Sequence, residues 1–167
     1  EAAAKECECR TQTEACQAAL AARKAAWSDG QNRMHMLREM QRAYEGFSGA
    51  VKRVMKRAES GAQRGVRGPV SSLLRVEAAY VTAIETALGA SASHLVVETA
   101  QDAKDAIAFL RRSDSGRATF LPMDTIKPMS LREQGVEEAA GSLGTADKLV
   151  DCAEEYRGIV QNLLART

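Results

Sequence analysis

Aromatic residues make up only 4% of the chain, with one tryptophan, three tyrosines and three phenylalanines. That scarcity argues against a single-strand binder built on stacking platforms. No run approaches the roughly 18 apolar residues of a membrane span, and no basic-then-apolar opening suggests export. Charge of one sign is missing too: 23 basic and 22 acidic residues leave a net +1, so the sum points to no anionic partner. The sequence contains no HExxH, GxSxG or GxxxxGK[ST]. What remains is 45% apolar residues in a chain of 167, enough for one domain with a real core, and 27% charged residues, the globular average. The expectation is a soluble intracellular protein with no catalytic residues.

Four cysteines do not form a disulfide framework. Cys7, Cys9 and Cys16 cluster near the start and Cys152 is far away. Cys7 and Cys9, two apart on a helix, point in different directions and are badly placed to bridge. They lack a second ligand pair, and His35 and His94 are remote, so reduced thiols and no metal are expected. Glu137/Glu138 and Glu154/Glu155 are adjacent carboxylates that splay apart on a helix, which reads as a solvated face rather than an acid–base pair. His94 reads as a capping or edge residue, and Trp27 as packing. No cofactor is expected.

Residues 1–43 read as one helix. EAAAK, the alanines through Ala26 and LREMQR are good helix formers with no proline among them. Leu20, Trp27 and Met34 fall in one seven-residue register and Leu37 and Tyr44 in its companion, a coiled-coil seam flawed by Arg23 and Gly30. A lone amphipathic surface helix is the alternative. From Gly46 onward strands and helices alternate, which predicts an α/β or α+β domain. FSGAVKRVMKRAES reads as a helix capped by Ser48, with Val51, Val54, Met55 and Ala58 on one side. GVRGPVSSLLRV reads as glycine turns and one short strand. EAAYVTAIETAL reads as a helix ended by Gly89 in the left-handed region. SHLVVE reads as a buried strand, and Thr99 with Asp102 as a capping-box start to a helix burying Ala103, Ala106, Ile107 and Leu110. GRATFLP reads as another strand, ended by Pro122.

Sliding the chain against itself exposes an internal repeat. At an offset of 76 residues, without gaps, Gly65 falls on Gly141 and Gly68 on Gly144. Leu73 meets Leu149, Leu74 meets Val150, Tyr80 meets Tyr156, Ile84 meets Val160 and Leu88 meets Leu164. Two amphipathic helices could share the last three by chance, but not the glycine pair and the apolar strand in the same register. Gly65 and Gly68 suit tight turns better than a phosphate cradle, since no lysine follows them. Copy one continues into strand, helix and strand, whereas copy two stops at Thr167. The expectation is a fragment, or a chain completed by another, because an uncovered apolar face and sheet edge would aggregate.

Charge is uneven along the chain. Between Arg33 and Arg67 lie nine basic residues, opposed only by Glu39, Glu45 and Glu59; from Glu77 onward 14 acids face nine bases. Lys52/Lys56 and Arg53/Arg57 sit at i,i+4 spacing, so four cations crowd one stretch of helix surface and repel. Neutralising phosphates is one reason to tolerate this, a plainly solvated face the other. The candidate DNA contacts are Arg42, Lys52, Arg53, Lys56, Arg57, Arg64 and Arg67. No base-reading motif accompanies them, so binding would be non-specific.

The segments HMLREMQRAYEGFSGAVKRV and GVRGPVSSLLRVEAAYVTAIETALGASASHLVVETAQDAKDAIAFLRRSDSGRATFLPMD resemble the hinge region of bacterial SMC chromosome-segregation proteins, with GRATFLP the most specific string. The resemblance covers about 33–125 well and 141–164 moderately. It implies an SMC hinge-like fold of two pseudo-symmetric strand–helix subdomains. Residues 1–43 would be the coiled-coil arm, 44–122 the first subdomain, and 123–167 a linker with part of the second. It implies two hinges joined in a ring-like homodimer, antiparallel arms, and weak DNA contact near the arm junction. ATP would be hydrolysed by distant head domains bridged by scaffold proteins, in a cytoplasmic, nucleoid-associated complex. The phosphate loop, a glycine-rich GG-x-x-TGG-like segment and the returning arm helix are not in this sequence. A small DNA-binding module and an accessory protein that pairs through its N-terminal helix are the rival readings.

Overall fold

In the computed structural model, residues 1–129 and 141–167 are described, and they divide into two units, 1–46 and 47–167. The first is one helix, α1 (Ala2–Arg42), that buries none of its side chains. Alanine and long straight-chain residues lose little freedom in a helix, which favours its length. Leu20, Trp27, Met34 and Leu37 are exposed at 54%, 67%, 44% and 54%, so this stripe is open to solvent rather than packed. Tyr44 is not on the stripe. The helix ends at Arg42, and Tyr44 takes a positive φ of 51°, which removes it from any heptad register.

The second unit begins with α2 (Gly49–Glu59), capped by Ser48, whose hydroxyl accepts from the Val51 amide at 3.4 Å. It buries Ala50, Val51, Val54 and Met55, while Ala58 is half-buried. The single strand expected next is two strands, β1 (Val66–Pro69) and β2 (Leu74–Val76), split by a one-turn helix, α3 (Val70–Leu73). Pro69, with its fixed φ, stands as the residue before that turn, and its carbonyl accepts from Ser72 Oγ at 2.8 Å. Helix α4 (Val81–Leu88) starts later than its apolar pattern does, because Glu77–Tyr80 forms a turn closed by the Tyr80 amide on the Glu77 carbonyl at 2.9 Å. Gly89 ends it with φ 48° and ψ −125°, positive but outside the left-handed helical well.

A short 3-10 turn leads to β3 (Leu95–Val97), buried throughout. Helix α5 (Ala100–Arg112) opens on the full Thr99/Asp102 capping box and buries Ala103, Ala106 and Leu110. Ile107 is 40% exposed and does not join that face. Strand β4 (Phe120–Pro122) follows. The sheet order is β1-β3-β4, with β1 and β3 antiparallel and β3 and β4 parallel. A parallel neighbour needs a crossover, and α5 supplies it. The Asp124 carboxylate then accepts the Ala100 amide at 3.0 and 3.1 Å and ties the exit of β4 to the start of α5.

Beyond residue 140 come a 3-10 turn at Ala146–Lys148, β5 (Val150–Cys152), a second at Glu154–Tyr156, and α6 (Arg157–Leu164). β5 pairs with β2 in a separate two-stranded ribbon. One apolar cluster, including Val70, Ile84, Leu88, Val96, Val150, Ile159, Val160 and Leu164, lies beneath both copies of the repeat.

Candidate functional site

The repeat read from the sequence is a structural one. β2 at 74–76 and β5 at 150–152, and α4 at 81–88 and α6 at 157–164, are separated by the same 76 positions. Gly65, Gly68, Gly141 and Gly144 all have positive φ (72°, 142°, 89° and 99°). Tyr80 and Tyr156 precede their helices with near-identical backbones, φ −107° and −96° with ψ −4° in both, and pack against the shared core. Ile84 and Val160, and Leu88 and Leu164, are buried as pairs. Burial pushes the Tyr156 hydroxyl above its ordinary value, with Glu155 adding to the effect.

The two copies also pair with each other. Leu74 faces Cys152, Arg75 faces Asp151 and Val76 faces Val150. Subtracting the offset, position 74 meets the equivalent of 76, and 75 meets the equivalent of itself. The ribbon therefore lies on a pseudo-twofold axis that passes between Arg75 and Asp151, with α4 and α6 packed together on the core side. The sequence exposed the repeat but not this pairing, because nothing in a self-comparison says which copy a strand will choose. Cys152, next to the axis, has its thiol pushed up mainly by burial, against the pull of Arg157.

The candidate basic residues divide by what they touch. Arg53 donates to the Ser113 carbonyl at 3.3 Å and Ser115 Oγ at 2.6 Å, linking α2 to the end of α5. Arg57 stacks over the Phe109 ring with 4.4 Å from its guanidinium carbon to the ring centre, and its Nε is buried without a hydrogen bond. Arg67 pairs with Glu98 at 3.1 Å and Glu155 at 3.9 Å. Arg42 belongs to the helical unit, where it pairs with Glu39 at 3.2 Å. Lys56 and Arg64 are exposed and Lys52 is half-buried, and none of the three has an ion-pair partner among the described residues. Two of the α2 cations, Arg53 on the surface and Arg57 half-buried, reach across to α5 and the residues that end it.

A groove of about 510 Å³ between the end of α2 and α5 is lined by Arg57, Arg64 and Arg112 together with Asp102 and Asp105. The sequence reading missed Arg112, which only the packing of α5 brings into the same groove as Arg64. Among the described residues, no group of His, Cys, Asp and Glu could hold a metal ion, and no helix is long and apolar enough to cross a membrane. Cys7, Cys9 and Cys16 are exposed and Cys152 is half-buried, all as free thiols. Glu154 and Glu155 are exposed, whereas Glu137 and Glu138 lie outside the described residues.

Residues 63–167 match the family model described as the SMC proteins Flexible Hinge Domain. The chain belongs to the SMC hinge family. It is 44% identical over 132 residues, 77% of its length, to the chromosome partition protein Smc of Bacillus subtilis. It spans only 11% of that relative. Among solved structures it is similar to an asymmetric dimer of the Geobacillus stearothermophilus SMC hinge domain. There the TM-score is 0.75 and the identity 38%, over 83% of this chain and 57% of the other. It is also similar to the Pyrococcus furiosus SMC hinge domain, with a TM-score of 0.59 and 29% identity over 76% of this chain and 64% of that one. The SMC hinge is a non-catalytic dimerisation domain.

Proposed function

We propose that this chain is the homodimer-forming joint of a chromosome-partition SMC protein. In this reading residues 1–43 are the start of an arm, 44–122 the first subdomain, and 123–167 a linker with part of the second. The observation that carries it is the likeness to a hinge solved as a dimer, together with the internal pseudo-twofold ribbon. Sheet edges and apolar faces join the protomers. In the longer protein, heads elsewhere hydrolyse ATP and meet scaffold proteins, and the complex works on the nucleoid in the cytoplasm. Light scattering on eluting chromatography peaks at several concentrations tests the joint. The expected mass is twice the 18.0 kDa protomer. A monomer at every concentration overturns the reading for this chain.

A second, compatible reading is non-specific DNA contact, favoured by Lys56 and Arg64, exposed and without an ion-pair partner among the described residues. Affinity for an arbitrary duplex should fall steeply with salt. Changing Lys56 and Arg64 to alanine should shallow that slope by roughly one unit for each phosphate no longer neutralised. An unchanged slope removes these residues from the DNA face.

A further inference from the structure

The ribbon poses a question of choice. β2 reads Leu-Arg-Val and β5 reads Val-Asp-Cys, each with one charge between two apolar residues. On a twofold axis the first position of one strand meets the third of the other, and the centre meets the centre. Suppose β2 of one molecule met β2 of a second copy in the same geometry. Leu74 would face Val76, as apolar a pair as the Val76–Val150 found within the chain. β5 against a second β5 would set Val150 against Cys152, again apolar. The helices beneath would not object either, because Ile84 and Leu88 on α4 occupy the places that Val160 and Leu164 occupy on α6. Packing therefore distinguishes like from unlike pairing only weakly.

The central position distinguishes them strongly. Unlike repeats set Arg75 against Asp151, both exposed. Like repeats set Arg75 against Arg75 and Asp151 against Asp151. Opposite charges directly across an antiparallel pair stabilise it and like charges destabilise it. We infer that Arg75 and Asp151 decide which strand pairs with which, holding the two repeats of one chain together and rejecting the same repeat of a second copy. Glu77, Lys148 and Arg157 line the same surface groove. Glu77 belongs to the β2 copy and Lys148 and Arg157 to the β5 copy, so they too change neighbours when like repeats pair, but only Arg75 and Asp151 face each other at the centre.

Urea unfolding of Arg75→Asp, Asp151→Arg and the doubly reversed chain tests the coupling. Each single reversal should raise the unfolding constant about two- to fivefold, and the double should lose clearly less than the two singles added together. Losses that simply add in the double overturn the inference. The flanking charges cannot imitate the rescue, since they are the same in all four proteins. The rejection of a second copy is read on the uncharged Arg75→Thr/Asp151→Thr chain by light scattering across concentration. Its association should begin at lower concentration than the parent's, and an unchanged curve overturns that half. A parent that stays monomeric would count against the joint proposed above yet leave the unfolding cycle intact, so the two failures are separable.

Discussion

The carboxylate of Asp102 fills the space that a Cβ on Gly65 would need. Gly65 has φ +72°, and Asp102 is the third residue of α5, already engaged with the Thr99 amide at 3.1 Å. The turn before β1 and the first turn of α5 therefore interlock, and the close approach demands glycine. Its repeat partner Gly141 has φ +89° but open space around it.

That contrast makes a paired prediction. Gly141→Ala should cost about 1 kcal/mol, the strain of a side chain at positive φ. Gly65→Ala should cost about 2 kcal/mol or more, because it must also displace the capping carboxylate. Denaturant midpoints of the two variants check this, and equal losses would remove the special role of Asp102.

Arg57 and Phe109 should behave as a coupled structural pair. A cycle of Arg57→Met, Phe109→Leu and both together should give a coupling of about 0.5–1 kcal/mol, the range for a partly exposed cation over a ring. Arg57→Met should leave the salt slope of any DNA binding unchanged, unlike Lys56→Ala. A cycle that closes to zero, or a slope that falls with Arg57, would return this residue to the DNA face.

Acid should loosen the junction at His94. Its backbone carbonyl accepts the Val70 amide at 2.9 Å, and its Nδ1 is buried with no hydrogen bond. Burial lowers its pKa below the ordinary 6.5, so the folded state favours neutral imidazole. The unfolded chain binds the proton more readily, and stability present above about pH 6.5 is lost as pH falls toward the folded value. Unfolding of the parent and of His94→Gln at about pH 5 and pH 8 should show the parent losing more on acidification. Parallel losses would assign the effect to other groups.

Local features were legible in the sequence. Ser48 and the Thr99/Asp102 box cap as their spacing dictates, because capping needs only a few neighbouring residues. The repeat was legible because its two copies align without a gap. The partners of Arg53, Arg57 and Arg67 were not, since Ser113, Ser115, Phe109, Glu98 and Glu155 are distant along the chain and become neighbours only through packing. Tyr44 continued a seven-residue rhythm on paper, but the backbone leaves the helix two residues earlier. The break at Pro69 and the exposure of Ile107 depend on the tertiary fit of short elements, where propensity is a weak guide.

The ribbon also sets an order of events during synthesis. β1, β3, β4 and α5 lie within one stretch of chain, so that sheet can close over shorter loops, whereas β2 waits for a partner roughly seventy-five residues downstream. Closing the longer loop comes last and contributes most to a slow folding rate. At about 5–20 residues per second, a ribosome leaves β2 unpaired for roughly 4–15 s. During that interval a neighbouring nascent chain can offer it a second β2, and Arg75 is then the residue that meets the intruder.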